Sequence, residues 1–140
     1  MVKGINHVGI VVRNIDEVLS LLREAFGAEE IQRMEIPMMK QISSIVRIGD
    51  GCFELMEPTA PDGPAGSFLE AKGGGLHHVS LLCEDVEGLC EMLESQGLKV
   101  VGKVLEGPFR VAFLHPKSGK GVLYELTDIP SSADGSIPPE

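Results

Sequence analysis

The chain has 140 residues, room for one domain of ordinary size, with 43% hydrophobic and 24% charged residues in the balance of a globular protein. Twelve basic against 21 acidic residues give a net charge of −9, with no basic cluster, which excludes nucleic acid and anionic membrane surfaces as partners. No apolar run approaches the roughly 18–20 residues that span a bilayer, and the three cysteines (Cys52, Cys83, Cys90) form no CxxC pair, so neither a disulfide framework nor a thiolate zinc site is expected.

A strand over about 5–12 opens the pattern. Ile15, Val18, Leu19, Leu22 and Phe26 then recur at helical spacing, with Asn14 or Asp16 placed to cap the start and Gly27 the end. Strands follow at about 41–48 and 52–57, separated by the turn Gly49-Asp50-Gly51. Glu57 to Gly66 reads as a connector, with a short helix at about 67–72 before Gly73-Gly74-Gly75. A strand at 77–83 precedes a second helix carrying Val86, Leu89, Cys90 and Leu93 on one face, opened by Asp85 and closed by Gly97. Strands near 99–104, 109–114 and 121–127 complete the series, and the Ser/Pro/Gly-rich segment 129–140 reads as a disordered tail. The N-terminus, Met1 to His7, has neither a signal-peptide core nor a transit-peptide composition, and a reducing cytoplasm is the expected compartment.

The chain repeats itself. His7-Val8-Gly9-Ile10-Val11-Val12 and His78-Val79-Ser80-Leu81-Leu82-Cys83 both run from His through apolar residues into a polar turn and a helix, 71 positions apart. The same offset carries Phe53-Glu54-Leu55 onto Tyr124-Glu125-Leu126. Two separate segments in one register imply a duplication. The expected fold class is α+β: two tandem βαβββ modules, about 3–57 and 74–128 with a connector at 58–73, forming one curved mixed sheet with the helices outside and a concave metal site inside.

Alternation along a strand places His7, Gly9 and Val11 on one face and Val8, Ile10 and Val12 toward the helix. The same parity turns His78 and Ser80 inward. Glu54 and Glu125 are each flanked by large apolar residues that must face the helical layer, so their carboxylates point to the concave side. Taken singly, a strand Glu is ordinarily solvated and a lone His hydrogen-bonded; it is the shared register that sets these four apart. Two imidazoles and two carboxylates converging near a pseudo-twofold axis make an N₂O₂ site for a divalent ion such as Zn, Co, Ni, Mn or Fe, with the two Glu balancing its charge. His77 has the wrong parity for a ligand, and His115, before Pro116 in a loop, is open to a structural or a substrate-touching role.

These four residues and their surroundings resemble the vicinal oxygen chelate superfamily (glyoxalase, bleomycin resistance and dioxygenase proteins) over roughly residues 3–128. Within it the similarity is strongest to the methylmalonyl-CoA epimerase family, carried by Ile5-Asn6-His7-Val8-Gly9-Ile10, Phe53-Glu54-Leu55-Met56-Glu57-Pro58, Gly74-Gly75-Leu76-His77-His78-Val79 and the run Phe113 to Thr127 with its His115-Pro116-Lys117-Ser118-Gly119-Lys120-Gly121 loop. The resemblance implies metal ligands at His7, Glu54, His78 and Glu125, one divalent ion (Co, Zn, Ni, Mn or Mg), an acyl-CoA substrate and a homodimer. It further implies proton removal from a carbon between a thioester and a carboxylate, then proton return on the opposite face, with Glu54 and Glu125 as the pair of groups placed for it. Lys117, Ser118, Gly119 and Lys120 are the expected binding loop for the anionic substrate, their backbone N–H groups included; Arg47, Lys103 and Arg110 are further candidates for a cationic rim. One departure is plain: some epimerases carry a catalytic carboxylate in the stretch matching Gln41-Ile42-Ser43-Ser44-Ile45-Val46, which here holds no acid. The alternatives are a glyoxalase I-like lactoylglutathione lyase, which uses the same ligand set, and a metal-free binding member of the superfamily, to which 4% aromatics give little support. An extradiol dioxygenase is disfavoured, because a fourth protein ligand fills the space that catechol and oxygen need.

Overall fold

A computed structural model describes residues 1–131. Its elements run β1 (Val2–Val11), α1 (Ile15–Phe26), β2 (Glu29–Ile36), a 3₁₀ turn (Pro37–Met39), β3 (Gln41–Ile48), β4 (Gly51–Pro58), α2 (Pro64–Lys72), β5 (Gly75–Cys83), α3 (Val86–Ser95), β6 (Val100–Val104), β7 (Val111–Leu114) and β8 (Tyr124–Thr127). All eight strands join one sheet in the order β2-β3-β4-β1-β5-β8-β7-β6. The two halves are therefore laid edge to edge, β1 against β5.

The ladder registers follow the offset of 71. Val8 pairs with Val79, its own counterpart, in the antiparallel β1–β5 ladder. On either side, Gly9 is opposite Glu54 in the parallel β1–β4 pair, and Ser80 is opposite Glu125 in the parallel β5–β8 pair. Cross-strand partners share a face, so the expected parity holds: the four proposed ligands and their partners occupy one side of the sheet.

The other side is covered by two helices. On α1, Ile15, Leu19 and Leu22 pack against Val12, Val46 and Leu55; on α3, Val86 and Cys90 pack against Cys83, Ala112 and Leu126. Asn14 caps α1 by accepting the Glu17 N–H at 2.9 Å, and Gly27 ends it in the left-handed region, with Ala28 N–H reaching back to the Leu22 carbonyl. Helix α2 lies on the opposite face, where Ala65, Phe68 and Leu69 pack on Val11 and Met56 at one end of the concave side.

The fold departs from the sequence reading in several places. The edge strand β2 is implied by the βαβββ pattern but has no local signal to place it: Glu29-Glu30-Ile31-Gln32-Arg33-Met34-Glu35-Ile36 is polar on both faces and held by its partner β3 rather than by apolar alternation. Helix α2 starts at Pro64, before position 67, because proline is favoured in a first helical turn. Strand β8 starts at Tyr124, since Gly121 has a φ of 99° and the preceding residues remain in a turn. The tail expected from 129 is placed as far as Ser131, which folds back onto Asn6; the remaining residues, 132–140, lie outside the described part.

The helix starts reveal a second repeat that the ligand residues had hidden. Glu57 Oε1 accepts the Ile15 N–H at 2.7 Å, and Asp128 Oδ2 accepts the Val86 N–H at 3.1 Å. These pairs share the offset of 71 and tie the end of β4 or β8 to the first turn of each module's helix, where a carboxylate also meets the helix dipole. Asp85, expected to open α3, occupies the cap position without a side-chain cap bond; Asp128 takes that role. Burial pushes the Asp128 carboxyl up, but the Arg110 guanidinium and the Val86 N–H outweigh it and hold it below the ordinary 3.8. A depressed folded-state pKa gives stability that is full above the unfolded value and lost as pH falls through the folded one. Asp128→Asn is therefore expected to cost about 1 kcal/mol at neutral pH, with the gap to wild type closing below the ordinary value of 3.8, as read by urea denaturation at neutral and acid pH.

Candidate metal centre and active site

The β1–β5 junction brings His7 and His78 together from opposite directions. Their Nε2 atoms are 3.2 Å apart, and both rings are buried, 6% and 5% exposed. Glu54 Oε1 lies 3.3 Å from His7 Nε2 and 3.5 Å from His78 Nε2, and Glu125 Oε2 lies 3.3 Å from His7 Nε2. All four residues picked out by the repeat thus converge.

Each imidazole is oriented from behind. His7 Nδ1 is 2.9 Å from Ser131 Oγ, and Ser131 is itself clasped by Asn6, whose Oδ1 accepts the Ser131 N–H at 2.6 Å. His78 Nδ1 is 2.8 Å from His77 Nδ1, and the His77 ring packs edge-on against Phe68 of α2. Burial, with the neighbouring His78 adding to it, pushes His77 down to about 4, so it is neutral and able to accept. A neutral imidazole that gives its Nδ1–H to such a partner leaves Nε2 able to bind an ion at the centre. Burial lowers the proton affinity of His7, but the bond to Glu54 and the charges of Glu125 and Glu54 outweigh it and raise the pKa above 6.5. Burial likewise pushes Glu54 up, and His7 and His78 together hold it well below the usual carboxylate range.

The donor chemistry fits a cation. The ligand atoms of His7, Glu54 and His78 lie within 4.8 Å of one another, and Glu125 adds a second carboxylate oxygen beside His7. Two imidazole nitrogens with carboxylate oxygens suit a borderline divalent ion such as Zn²⁺, Co²⁺, Ni²⁺ or Mn²⁺.

The space for His78 is made by a glycine. A Cβ at Gly9 would sit 2.0 Å from the His78 ring, whereas its counterpart Ser80 carries a side chain beneath His7 that meets Asn6 Nδ2 at 3.5 Å. Gly9→Ala is expected to drive the His78 ring out of place and to cost about 1–3 kcal/mol, visible in denaturant midpoints and in the His78 ring shifts by NMR.

A cleft of about 770 Å³ opens beside His78, lined by Phe68 and Lys72 of α2, His77, and Pro116 and Gly121–Leu123 of the loop before β8. The expected binding loop, Lys117 to Lys120, therefore sits between residues that line this cleft. One part of the expectation is corrected. The Lys117 N–H goes to His115 Nδ1, those of Ser118 and Gly119 to the His115 carbonyl, and that of Gly121 to the Pro116 carbonyl, so the loop spends these donors on its own turn. His115 thus uses its Nδ1 and its carbonyl within the turn. Arg47, Lys103 and Arg110 are engaged by Glu29, Glu94 and Asp128, whereas Lys72, which sequence reasoning did not single out, lines the cleft with no ion pair among the described residues.

A family model described as the glyoxalase/bleomycin resistance protein/dioxygenase superfamily matches residues 6–113, taking in His7, Glu54 and His78. The chain belongs to that superfamily. This superfamily member is 29% identical over 134 residues to an ethylmalonyl-CoA/methylmalonyl-CoA epimerase of Cereibacter sphaeroides, covering 92% of this chain and 100% of the relative. It is 29% identical over 126 residues to the mitochondrial methylmalonyl-CoA epimerase of Mus musculus, covering 87% and 71%. Among solved structures, methylmalonyl-CoA epimerase from Mycobacterium tuberculosis superimposes with a TM-score of 0.84 at 26% identity, over 90% of this chain and 87% of that one. No helix among the described residues of this superfamily member is long and apolar enough to cross a membrane.

Proposed function

We propose that the protein is a metal-assisted acyl-CoA epimerase that interconverts the 2R and 2S forms of methylmalonyl-CoA. The observation that carries this reading is the convergence of His7, Glu54, His78 and Glu125 beside an open cleft, in a chain similar to methylmalonyl-CoA epimerases. A divalent ion held by these four residues would supply Lewis-acid stabilisation of the negative charge that develops on substrate oxygens.

The chain's own residues divide the remaining work. Lys72 lines the cleft, and Lys117 and Lys120 belong to the loop between its lining residues Pro116 and Gly121, so local cations serve an anionic substrate that a net charge of −9 does not attract from a distance. Phe68, Leu76 and Val122 line it with apolar surface and limit water at the reacting carbon. The two carboxylates, alike in sequence register, are unlike in setting. Glu54 is bonded on both oxygens, to the histidines through Oε1 and to Ser43 through Oε2 at 2.8 Å. Glu125 meets His7 alone among the described residues. Glu125 is therefore the group freer to take the α-proton from one face, with Glu54 the more fixed anchor and Glu54 or a solvent water delivering a proton to the opposite face.

The reading extends to assembly as a homodimer. Ile5, 69% exposed on β1 and five residues along the β1–β5 ladder from the Ile10–Leu76 pairing, is apolar surface that a second copy would cover.

The test is α-proton exchange of methylmalonyl-CoA in D₂O, followed by NMR, with metal-stripped protein and protein reloaded with Co²⁺, Zn²⁺, Ni²⁺ or Mn²⁺. Metal-dependent exchange is expected. Glu125→Gln should lose about 10²–10⁴-fold of it, the range of general acid–base catalysis, while Glu54→Gln, which keeps an oxygen donor, should retain measurable exchange. Absence of exchange with every metal would falsify the epimerase reading and bring a glutathione thioester to the front.

A further inference from the structure

We propose that Gln41 and Ser43 are positioning residues that commit Glu54 to the metal centre through a single oxygen. The inference rests on the reading of this site as a metal centre, and names what sets the geometry of one ligand.

The geometry is a chain of two hydrogen bonds along β3 that ends on β4. Gln41 Nε2 donates to Ser43 Oγ at 2.9 Å, and Ser43 Oγ donates to Glu54 Oε2 at 2.8 Å. Donation to Oε2 leaves Oε1 turned toward His7 and His78, at 3.3 and 3.5 Å. A carboxylate with one oxygen so occupied presents the other alone. Because the Gln41 amide can only donate through Nε2, it fixes the direction of the Ser43 hydroxyl proton, which otherwise rotates freely.

Burial argues that this pair is there for the site and not for the sheet. Gln41 is 2% exposed and Ser43 1% exposed. Their neighbours across the ladder are apolar: Met34 and Met56 flank Ser43, and Ile36 and Pro58 flank Gln41. An apolar pair at 41 and 43 would suit such surroundings better, since buried polar groups stabilise only when fully bonded. Gln41 is not: its Oε1 is buried with no partner among the described residues. The molecule thus tolerates an unsatisfied carbonyl in order to aim the amide at Ser43. The corresponding place in the second module, opposite Thr127, holds Val111, so Glu125 has no such support.

The test uses the full chain loaded with Co²⁺, read by chelator competition and by the visible absorption bands, with apo thermal melting as the check on folding. Ser43→Ala frees Glu54 to swing or to bind through both oxygens, and should weaken Co²⁺ binding about 10–100-fold, as loss of an outer-shell partner does, with altered band intensities. Ser43→Thr, which keeps the hydroxyl, should restore affinity and spectrum. Gln41→Met, close in shape but without the amide donor, should fall between Ser43→Ala and wild type. Unchanged Co²⁺ affinity and spectrum in Ser43→Ala overturns the proposal. If that variant does not fold, wild-type values in Gln41→Met overturn it instead. Neither readout needs a substrate, so absence of α-proton exchange in the wild type would sink the epimerase reading while leaving this assignment to stand or fall on Co²⁺.

Discussion

The antiparallel pairing of β1 with β5 is the constraint on which the rest depends. With Val8 opposite Val79, the pseudo-twofold axis passes between the two modules, and a side chain one residue away on either strand is brought to the same spot. A slip of one residue would turn His7 and His78 to the helical side. The same join removes two edges from the middle of the sheet, leaving β2 and β6 as the outer strands. Both carry charge there, Glu29, Arg33 and Glu35 on β2 and Lys103 on β6, which discourages further strand pairing.

The scaffold is symmetric, but its supports are not. Glu57 and Asp128 hold the two helix starts in the same way. Around the ligands the copies diverge: Gly9 answers to Ser80, and the backing partner of one imidazole is Ser131 while that of the other is His77. Glu54 is held from β3, whereas Glu125 is not. A reaction that must treat the two faces of a carbon differently gains from such divergence, because a perfectly symmetric pair of carboxylates would compete for the same proton with equal strength.

The parts of this arrangement that could be read from sequence are those that the repeat writes twice. His7/His78 and Glu54/Glu125 stand in one register, and strand parity then gives their common face without any knowledge of the loops. Strand β2 escaped because its polarity carries no period, and its place is set by the β3 backbone. Ser131 and Asn6 escaped because their contact spans 125 positions, a distance over which no local pattern holds information. Ser43 was in view only as the lack of an acid; its bond to Glu54 depends on the β3–β4 register. The loop 117–120 lies between residues that line a cleft, but the pattern of its sequence does not show that its N–H groups are engaged, because a tight turn consumes its own donors before any ligand arrives.

The clasp between Ser131 and His7 bears on the order in which the site comes into being. Residues 124 positions apart must meet before the His7 ring is held, and His7 and His78 are themselves 71 apart. During synthesis, a chain that has emerged through β4 carries His7 and Glu54 but lacks β5, the strand that sets His78 beside His7. The full cluster needs Glu125 of β8 and the Ser131 clasp, so it belongs to the finished molecule. A nascent chain therefore exposes no assembled centre in which the wrong metal could lodge.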